Sequence, residues 1–406
     1  MRRGGKTGSG ITQGTAARGL VWKVIGTNRG TLRDLGGNGQ IGEERTGLSR
    51  RDVAYKIMFF LLLVYLFLVS IRLMGCSFKL FGADFAETLI AQTTNPVKGL
   101  LVGILATSIV QSSSCTTSIV VGFVASGSLT IQNAVPIVMG ANIGTTITNT
   151  VVSLGHVHRR SEFTHAFAGA TVHDFFNLLA VVILLPLQVK FSLLERISSF
   201  LTKAFVNVGG IELLNPVKLV TGPVVGFLRV VALGQPVGML IIALLLLFVS
   251  LRVITRLMRG LVATQAEKRI NEYIFDRPVR AFLMGGSLTA VIQSSSVATS
   301  LAVPLVGARI ISVEKIFPYT LGTNIGTTFT AILASLATAN PLAITIALTH
   351  LVFNVLGICI LYPFRFVPIG LAKELGNQVA RNRILAIVYI GVMFYLVPLV
   401  LMFVWR

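Results

Sequence analysis

Gln111-Ser112-Ser113-Ser114 and Gln293-Ser294-Ser295-Ser296 are one pattern written twice. So are Gly140-Ala141-Asn142-Ile143-Gly144-Thr145-Thr146 and Gly322-Thr323-Asn324-Ile325-Gly326-Thr327-Thr328. Both pairs stand 182 positions apart (293 − 111 and 324 − 142), and Pro96/Pro278 and Pro136/Pro318 keep the same register. The flanking sequence is apolar, where clustered hydroxyl and amide groups are costly unless they find partners. A duplicated polar cluster at membrane depth is the pattern of a secondary carrier built from two repeats.

Composition points the same way. Hydrophobic residues make up 53% of the 406 residues and charged residues only 12%, which excludes the ordinary soluble classes. The net charge of +20 raises the question of nucleic acid, but its distribution argues against that partner. No Lys, Arg, Asp or Glu lies between Lys98 and Arg159, or between Lys315 and Arg365. The basic residues sit between apolar segments, as cytoplasmic loops of a membrane protein require. Cys76, Cys115 and Cys359 form no spaced pair, and the chain has no His/Cys/carboxylate cluster suited to a transition metal. Residues 1–52 are Gly-rich, basic and without periodicity, and read as a largely disordered tail.

A spanning helix needs about 20 apolar residues. Seven segments qualify: 53–74, 131–154, 165–188, 236–257, 315–338, 342–362 and 384–405. Residues 97–127 and 279–308 are too long for one span, and each is interrupted near its middle by Gln-Ser-Ser-Ser. Each reads as a re-entrant helical hairpin with the polar motif at its tip, which is tolerable only where it lines a cavity or is buried in protein.

Ten Lys and Arg against four acids in residues 1–52 place the N-terminus in the cytoplasm. The connecting loop 191–235 then falls outside. Arg252, Arg256, Arg259, Lys268, Arg269, Arg277 and Arg280 fall inside, as do Arg365, Lys373, Arg381 and Arg383. Three spans separate the hairpins, and an odd number inverts the second repeat relative to the first. The expected fold is therefore an all-α polytopic membrane protein of two inverted repeats, residues 53–190 and 236–362, each with a hairpin and a broken spanning helix. A cytoplasmic loop and a last helix follow at 363–406. Segment 213–231 is moderately apolar and would break this parity if it spanned, but Pro216, Gly222, Pro223 and Arg229 oppose that.

At each hairpin tip the second half-helix starts at the serines, with unpaired N–H groups and a partial positive charge. Ser hydroxyls beside such groups make an anion site, and two facing tips suit a tetrahedral oxyanion. The Gly-x-Asn-Ile-Gly-Thr-Thr motifs supply neutral oxygens from Asn142, Thr145, Asn324 and Thr327, which suit a hard monovalent cation. A third shared element, His173-Asp174-Phe175-Phe176-Asn177 against His350-Leu351-Val352-Phe353-Asn354, breaks the symmetry. Asp174 is the one carboxylate inside a predicted span core, and its counterpart is Leu351. An intramembrane acid is a functional candidate by default, and Asn177 shares its helical face at i+3. His173 and His350 read as packing residues.

The serine motifs, Gly140 to Thr150 and Phe167-Ala168-Gly169-Ala170-Thr171-Val172-His173-Asp174 together resemble the type II sodium–phosphate cotransporters. The similarity covers about residues 95–190 and 275–362. It implies uptake of inorganic phosphate, mainly the divalent form, driven by the sodium gradient through alternating access. It places phosphate on Gln111, Ser112, Ser113, Ser114, Ser294, Ser295 and Ser296. It places sodium on Gln293, Ser294, Thr323, Thr327 and Thr330, and adds Asp174 and Asn177, in the pattern of the electrogenic members. The short 189–235 loop, without a cysteine pair or Asn-x-Ser/Thr site, points to a bacterial form in the inner membrane.

Two other readings stand beside this one: a sodium-coupled carrier of another small oxyanion, and a membrane sensor or scaffold that no longer transports. An intramembrane hydrolase is disfavoured, because no His or Lys base is spaced with a Ser. The chain is expected to be no enzyme and to need no cofactor beyond Na+ as coupling ion.

Overall fold

The structure is a computed structural model that describes residues 50–207, 215–263 and 273–404. Most of the expected N-terminal tail, including all of 1–49, lies outside the described residues, as do 208–214 of the connecting segment and Lys268 and Arg269 of the basic one.

The described chain is helical from end to end. In order, the helices are α1 (Arg50–Leu80), α2 (Ala83–Thr93), α3 (Pro96–Val110), α4 (Ser113–Ser126), α5 (Ile131–Thr145) and α6 (Ile147–Ser153). They continue as α7 (Arg160–Phe191), α8 (Leu193–Asn207), α9 (Asn215–Val231), α10 (Pro236–Ala263), α11 (Pro278–Ile292) and α12 (Ser295–Gly307). The last are α13 (Val313–Thr338), α14 (Pro341–Leu361), α15 (Phe366–Arg381), α16 (Ile384–Gly391) and α17 (Val397–Val404), with a π-helical turn, Val392–Leu396, between α16 and α17.

Local chemistry sets these boundaries, and does so twice. Thr130 Oγ1 accepts from the Asn133 N–H at the start of α5, and Ser312 Oγ accepts from the Lys315 N–H at the start of α13, 182 positions later. Pro96 and Pro278 open α3 and α11 at the first helical position, where a missing N–H costs nothing. The interrupted segments 97–127 and 279–308 are the helix pairs α3–α4 and α11–α12, each broken at the glutamine of its motif.

Among the described residues, six helices are long and apolar enough to cross a membrane: Ala54–Leu80, Ile131–His156, Arg160–Phe191, Pro236–Leu257, Pro341–Leu361 and Ile384–Val404. Three of them lie between the two helix pairs. A seventh arises if α2 and α3, bent by 101° at Thr94–Asn95, count as one span. Helix α13 is expected as a span and has 26 residues, but it is not apolar enough. Its Thr320, Thr323, Asn324, Thr327, Thr328, Thr330 and Ser335 lower its hydropathy, and all are buried in the protein interior. The connecting segment is not a plain loop: it carries the amphipathic α8 and the 17-residue α9, and α9 packs along α1. Tyr65 OH donates to the Val220 carbonyl at 3.2 Å, and Arg72 Nη1 to Thr221 Oγ1 at 2.6 Å.

Packing repeats as faithfully as the sequence. Helix α3 lies on α5, and α11 on α13. Both contacts are so close that glycine alone fits: a Cβ on Gly140 would stand 2.0 Å from the Leu100 carbonyl oxygen, and one on Gly322 2.0 Å from that of Phe282. The reciprocal positions behave alike: a Cβ on Gly103 would stand 2.1 Å from Ile137 O, and one on Gly285 2.1 Å from Tyr319 O. Small residues that let backbones approach are the means by which membrane helices associate. The glycines of the second motif therefore do not break the helix as the sequence suggests: α13 runs straight through Gly322 and Gly326. Only the first copy breaks, at Thr146, between α5 and α6.

The two halves then exchange elements. Helix α12 packs on α6 and α7 of the first half, while α4 packs on α13 and α14 of the second; α15 lies on α7, and α8 on α14. Gly322→Ala and Gly140→Ala are each expected to lower stability by about 1–3 kcal/mol, because backbone opposes the new methyl and overpacking of a tight contact costs this much. A melting temperature in detergent equal to that of the wild type would refute the contact.

Candidate functional site

Two bends define the site. Gln111 sits at φ 56°, ψ 31° and Gln293 at φ 57°, ψ 30°, both in the left-handed region that non-glycine residues rarely occupy. Such strain persists only where surrounding structure imposes it, and it concentrates at functional sites. The next residues, Ser112 and Ser294, are extended, and their hydroxyl oxygens accept from the N–H groups of Cys115 and Val297. Helices α4 and α12 then start at Ser113 and Ser295. The four serines Ser113, Ser114, Ser295 and Ser296 are all buried, so the two helix N-termini lie inside the protein with their positive ends and hydroxyls together.

The two tips meet. Ser114 Oγ donates to the Gln293 carbonyl at 3.1 Å and lies 3.4 Å from Thr330 Oγ1 on α13. Ser296 Oγ donates to the Thr145 carbonyl at 3.4 Å, at the end of α5. Each tip thus touches the opposite half, and residues 179 and 151 positions apart share one place. The glutamines differ: Gln111 is exposed, whereas Gln293 is buried with its Oε1 unpartnered among the described residues.

Oxygen atoms suited to a cation lie along α13 and α5, the helices that the two tips touch. Thr323 Oγ1 donates to Thr320 O and Thr327 Oγ1 to Thr323 O, each within its own helix, which leaves the hydroxyl lone pairs free. Thr145 Oγ1 is buried without a partner among the described residues. Asn142 and Asn324 are also buried here, but their side-chain oxygens face histidines. His350 Nε2 lies 3.2 Å from Asn142 Oδ1, and His173 Nε2 lies 2.5 Å from Asn324 Oδ1.

Those histidines belong to a chain of polar contacts that ties the halves together. Thr299 Oγ1 donates to Asn149 Oδ1 at 2.6 Å, and Asn149 Nδ2 lies 3.4 Å from His173 Nδ1. Asn324 Nδ2 donates to Asn177 Oδ1 at 2.8 Å, and Asn177 Nδ2 to Asn142 O at 2.8 Å. A neutral His173 with its proton on Nε2 satisfies every link: it donates to Asn324 and accepts from Asn149. The network runs from α12 through α6, α7, α13 and α5, and a buried network of this kind favours one geometry; His350 Nδ1 stays unpartnered among the described residues. Sequence spacing treats the two histidines as packing residues and passes over Asn149 and Thr299. Recurrence of His–x–x–x–Asn in both halves was the available signal.

Asp174 and Asn177 share a face of α7, yet their partners differ. Asn177 is bonded to Asn142 and Asn324. Asp174 Oδ2 accepts from Thr150 Oγ1 at 3.2 Å and from Tyr389 OH at 3.0 Å. Asp174 is the one buried carboxylate among the described residues, where no Lys or Arg is buried. Nor do the described residues hold any group of three or more His, Cys, Asp or Glu that suits a metal. The arrangement offers convergent N–H and O–H donors for an anion, neutral oxygens and one carboxylate for small cations, and no positive side chain.

A family profile described as Na+/Pi-cotransporter matches residues 66–255 and 245–395. The chain is 34% identical over 460 aligned positions to sodium-dependent phosphate transport protein 2B of Homo sapiens, covering 86% of this chain and 67% of that protein. It is 35% identical to sodium-dependent phosphate transport protein 2A of Rattus norvegicus, over 84% of this chain and 66% of the relative. Protein 2B of Bos taurus is 36% identical over 87% and 67%. The chain thus spans about two thirds of the length of these relatives. No solved structure matches it. With both motif pairs inside the matched residues and six helices fit to span, the chain is a multi-pass membrane protein and belongs to the Na+/Pi-cotransporter family.

Proposed function

We propose that this protein moves inorganic phosphate, mainly as the divalent anion, together with sodium ions across the plasma membrane, in a bacterium the inner membrane. The observation that carries the reading is the meeting of the two serine tips, Ser114 on Gln293 and Ser296 on Thr145. Two buried helix N-termini bind a tetrahedral oxyanion without a cationic side chain, with the Ser114 and Ser296 hydroxyls turning to it from the carbonyls they meet here. Phosphate is assigned to the tip residues Gln111, Ser112, Ser113, Ser114, Ser294, Ser295 and Ser296. Sodium is assigned to Gln293, Ser294, Thr323, Thr327, Thr330 and Thr145, framed by Asn142, Asn177 and Asn324, with a further ion at Asp174. The names of the relatives support both solutes. Radiolabelled phosphate uptake into proteoliposomes tests the reading: an inward sodium gradient should drive accumulation, and equal uptake with potassium in its place would refute the coupling.

In this reading the halves are inverted and the helix pairs enter from opposite faces, with the N-terminus cytoplasmic. Three candidate spans between the pairs and the exchanged packing of α4 and α12 support it. With Cys76, Cys115 and Cys359 replaced, a single cysteine at exposed Thr94 should react with an impermeant thiol reagent from outside, and one at exposed Arg277 from inside. Labelling of both from one face would show parallel halves.

A further inference from the structure

We propose that Tyr389 is a positioning residue that fixes the Asp174 carboxylate so that its Oδ1 faces a sodium ion; this rests on the reading of Asp174 as a cation ligand. The two carboxylate oxygens have unlike surroundings. Oδ2 receives the hydroxyls of Thr150 and Tyr389, while Oδ1 is buried with no directed hydrogen bond among the described residues; the Thr146 hydroxyl also lies against the carboxylate but donates to the Ile143 carbonyl at 2.8 Å. A bare carboxylate oxygen inside a membrane protein is costly until a cation or a donor meets it. Two donors on one oxygen leave the other as the face offered to an ion.

Tyr389 is built to hold that orientation. Its ring stands edge-on to Phe167, at 6.1 Å and 70°, and to Phe394, at 6.3 Å and 88°. Phe167 lies seven residues before Asp174, two turns along the same helix α7, so one face of α7 seats the tyrosine ring and receives its hydroxyl. The helix that supplies Tyr389 lies beyond both copies of the duplicated pattern. Directly after it comes the π-helical turn Val392–Leu396, a geometry that occurs mostly as single turns inside α-helices and is frequent at functional sites. Within that turn Tyr395 OH donates to the Ser108 carbonyl on α3 at 3.3 Å. One helix therefore contacts both the carboxylate and the first arm of the serine-tipped pair. In the second copy Leu351 replaces the acid, so the arrangement occurs once.

The test uses the full chain in voltage-clamped proteoliposomes. Tyr389→Phe keeps the ring and removes the hydroxyl. It should raise the sodium concentration for half-maximal uptake about tenfold at fixed potential, the effect of losing one charge-assisted hydrogen bond. Half-saturation by phosphate at saturating sodium should stay at the wild-type value, and the detergent melting temperature should fall by no more than a few degrees. Thr150→Val, which removes the other donor, should act in the same direction. In an Asp174→Gly background Tyr389→Phe should have no further effect. An equal effect of Tyr389→Phe in both backgrounds would mark a structural role and overturn the proposal. So would no effect of Tyr389→Phe where Asp174→Gly alone alters sodium coupling, which would leave the reading of Asp174 intact. An Asp174→Gly protein indistinguishable from wild type would overturn that reading and this one with it.

Discussion

Asp174→Gly is expected to retain sodium-dependent phosphate uptake and to lose its dependence on membrane potential, with one fewer sodium ion moved per phosphate. The residue is the one buried carboxylate among the described residues, and its counterpart in the second half is Leu351. In its carboxylate form it contributes one negative charge that a sodium ion neutralises, and no buried Lys or Arg among the described residues competes for it. Moving one uncompensated charge through the field is worth about 2.3 kcal/mol per 100 mV, or about fiftyfold in accumulation. Potassium–valinomycin clamped proteoliposomes measure this directly. A mutant as voltage-sensitive as the wild type would make Asp174 structural and place the charge-carrying step elsewhere.

Ser114→Ala combined with Ser296→Ala should lower phosphate uptake by at least about a hundredfold, since each lost donor to an anion is worth about 1.5–3 kcal/mol. The fold should survive. Ser296 donates to the Thr145 carbonyl at a long 3.4 Å, and Ser114 to the Gln293 carbonyl at 3.1 Å. Neither substitution adds volume, so the melting temperature should move by only a few degrees. The single variants should each lose uptake too, because each tip supplies half of the donor set. Uptake near wild type in the double variant would show that the serines only pack the tips against each other, and the anion site would have to be sought away from them.

Much of this architecture was legible because it is written in local signals. The interrupted segments 97–127 and 279–308 became helix pairs at 96–126 and 278–307, since Pro at the first helical position and Ser at the cap act within one turn. The 182-residue register carried over into matched caps, matched bends at Gln111 and Gln293, and matched glycine contacts at Gly140 and Gly322. Asp174 stood out because a lone acid in an apolar segment needs no structure to be noticed.

Other features depend on which helices dock, and no local pattern carries that. Gly322 and Gly326 look like helix breakers, yet they sit within an unbroken α13 because α11 presses against them. His173 and His350 look like packing residues until Asn324 and Asn142 arrive from 151 and 208 positions away. Gln111 and Gln293 are the same letter in the same motif, but one is exposed and the other buried. Tyr389, outside the duplicated pattern, reaches Asp174 from 215 positions away. The sequence alone determined the helix pairs, their duplication and the residues rich in donors, because helix periodicity and capping act over three or four residues, but it read the helices α8, α9 and α15 as loops. Only the tertiary structure decided which of those residues face one another, because the burial of polar groups in an apolar chain is settled by the partners that the packed helices bring.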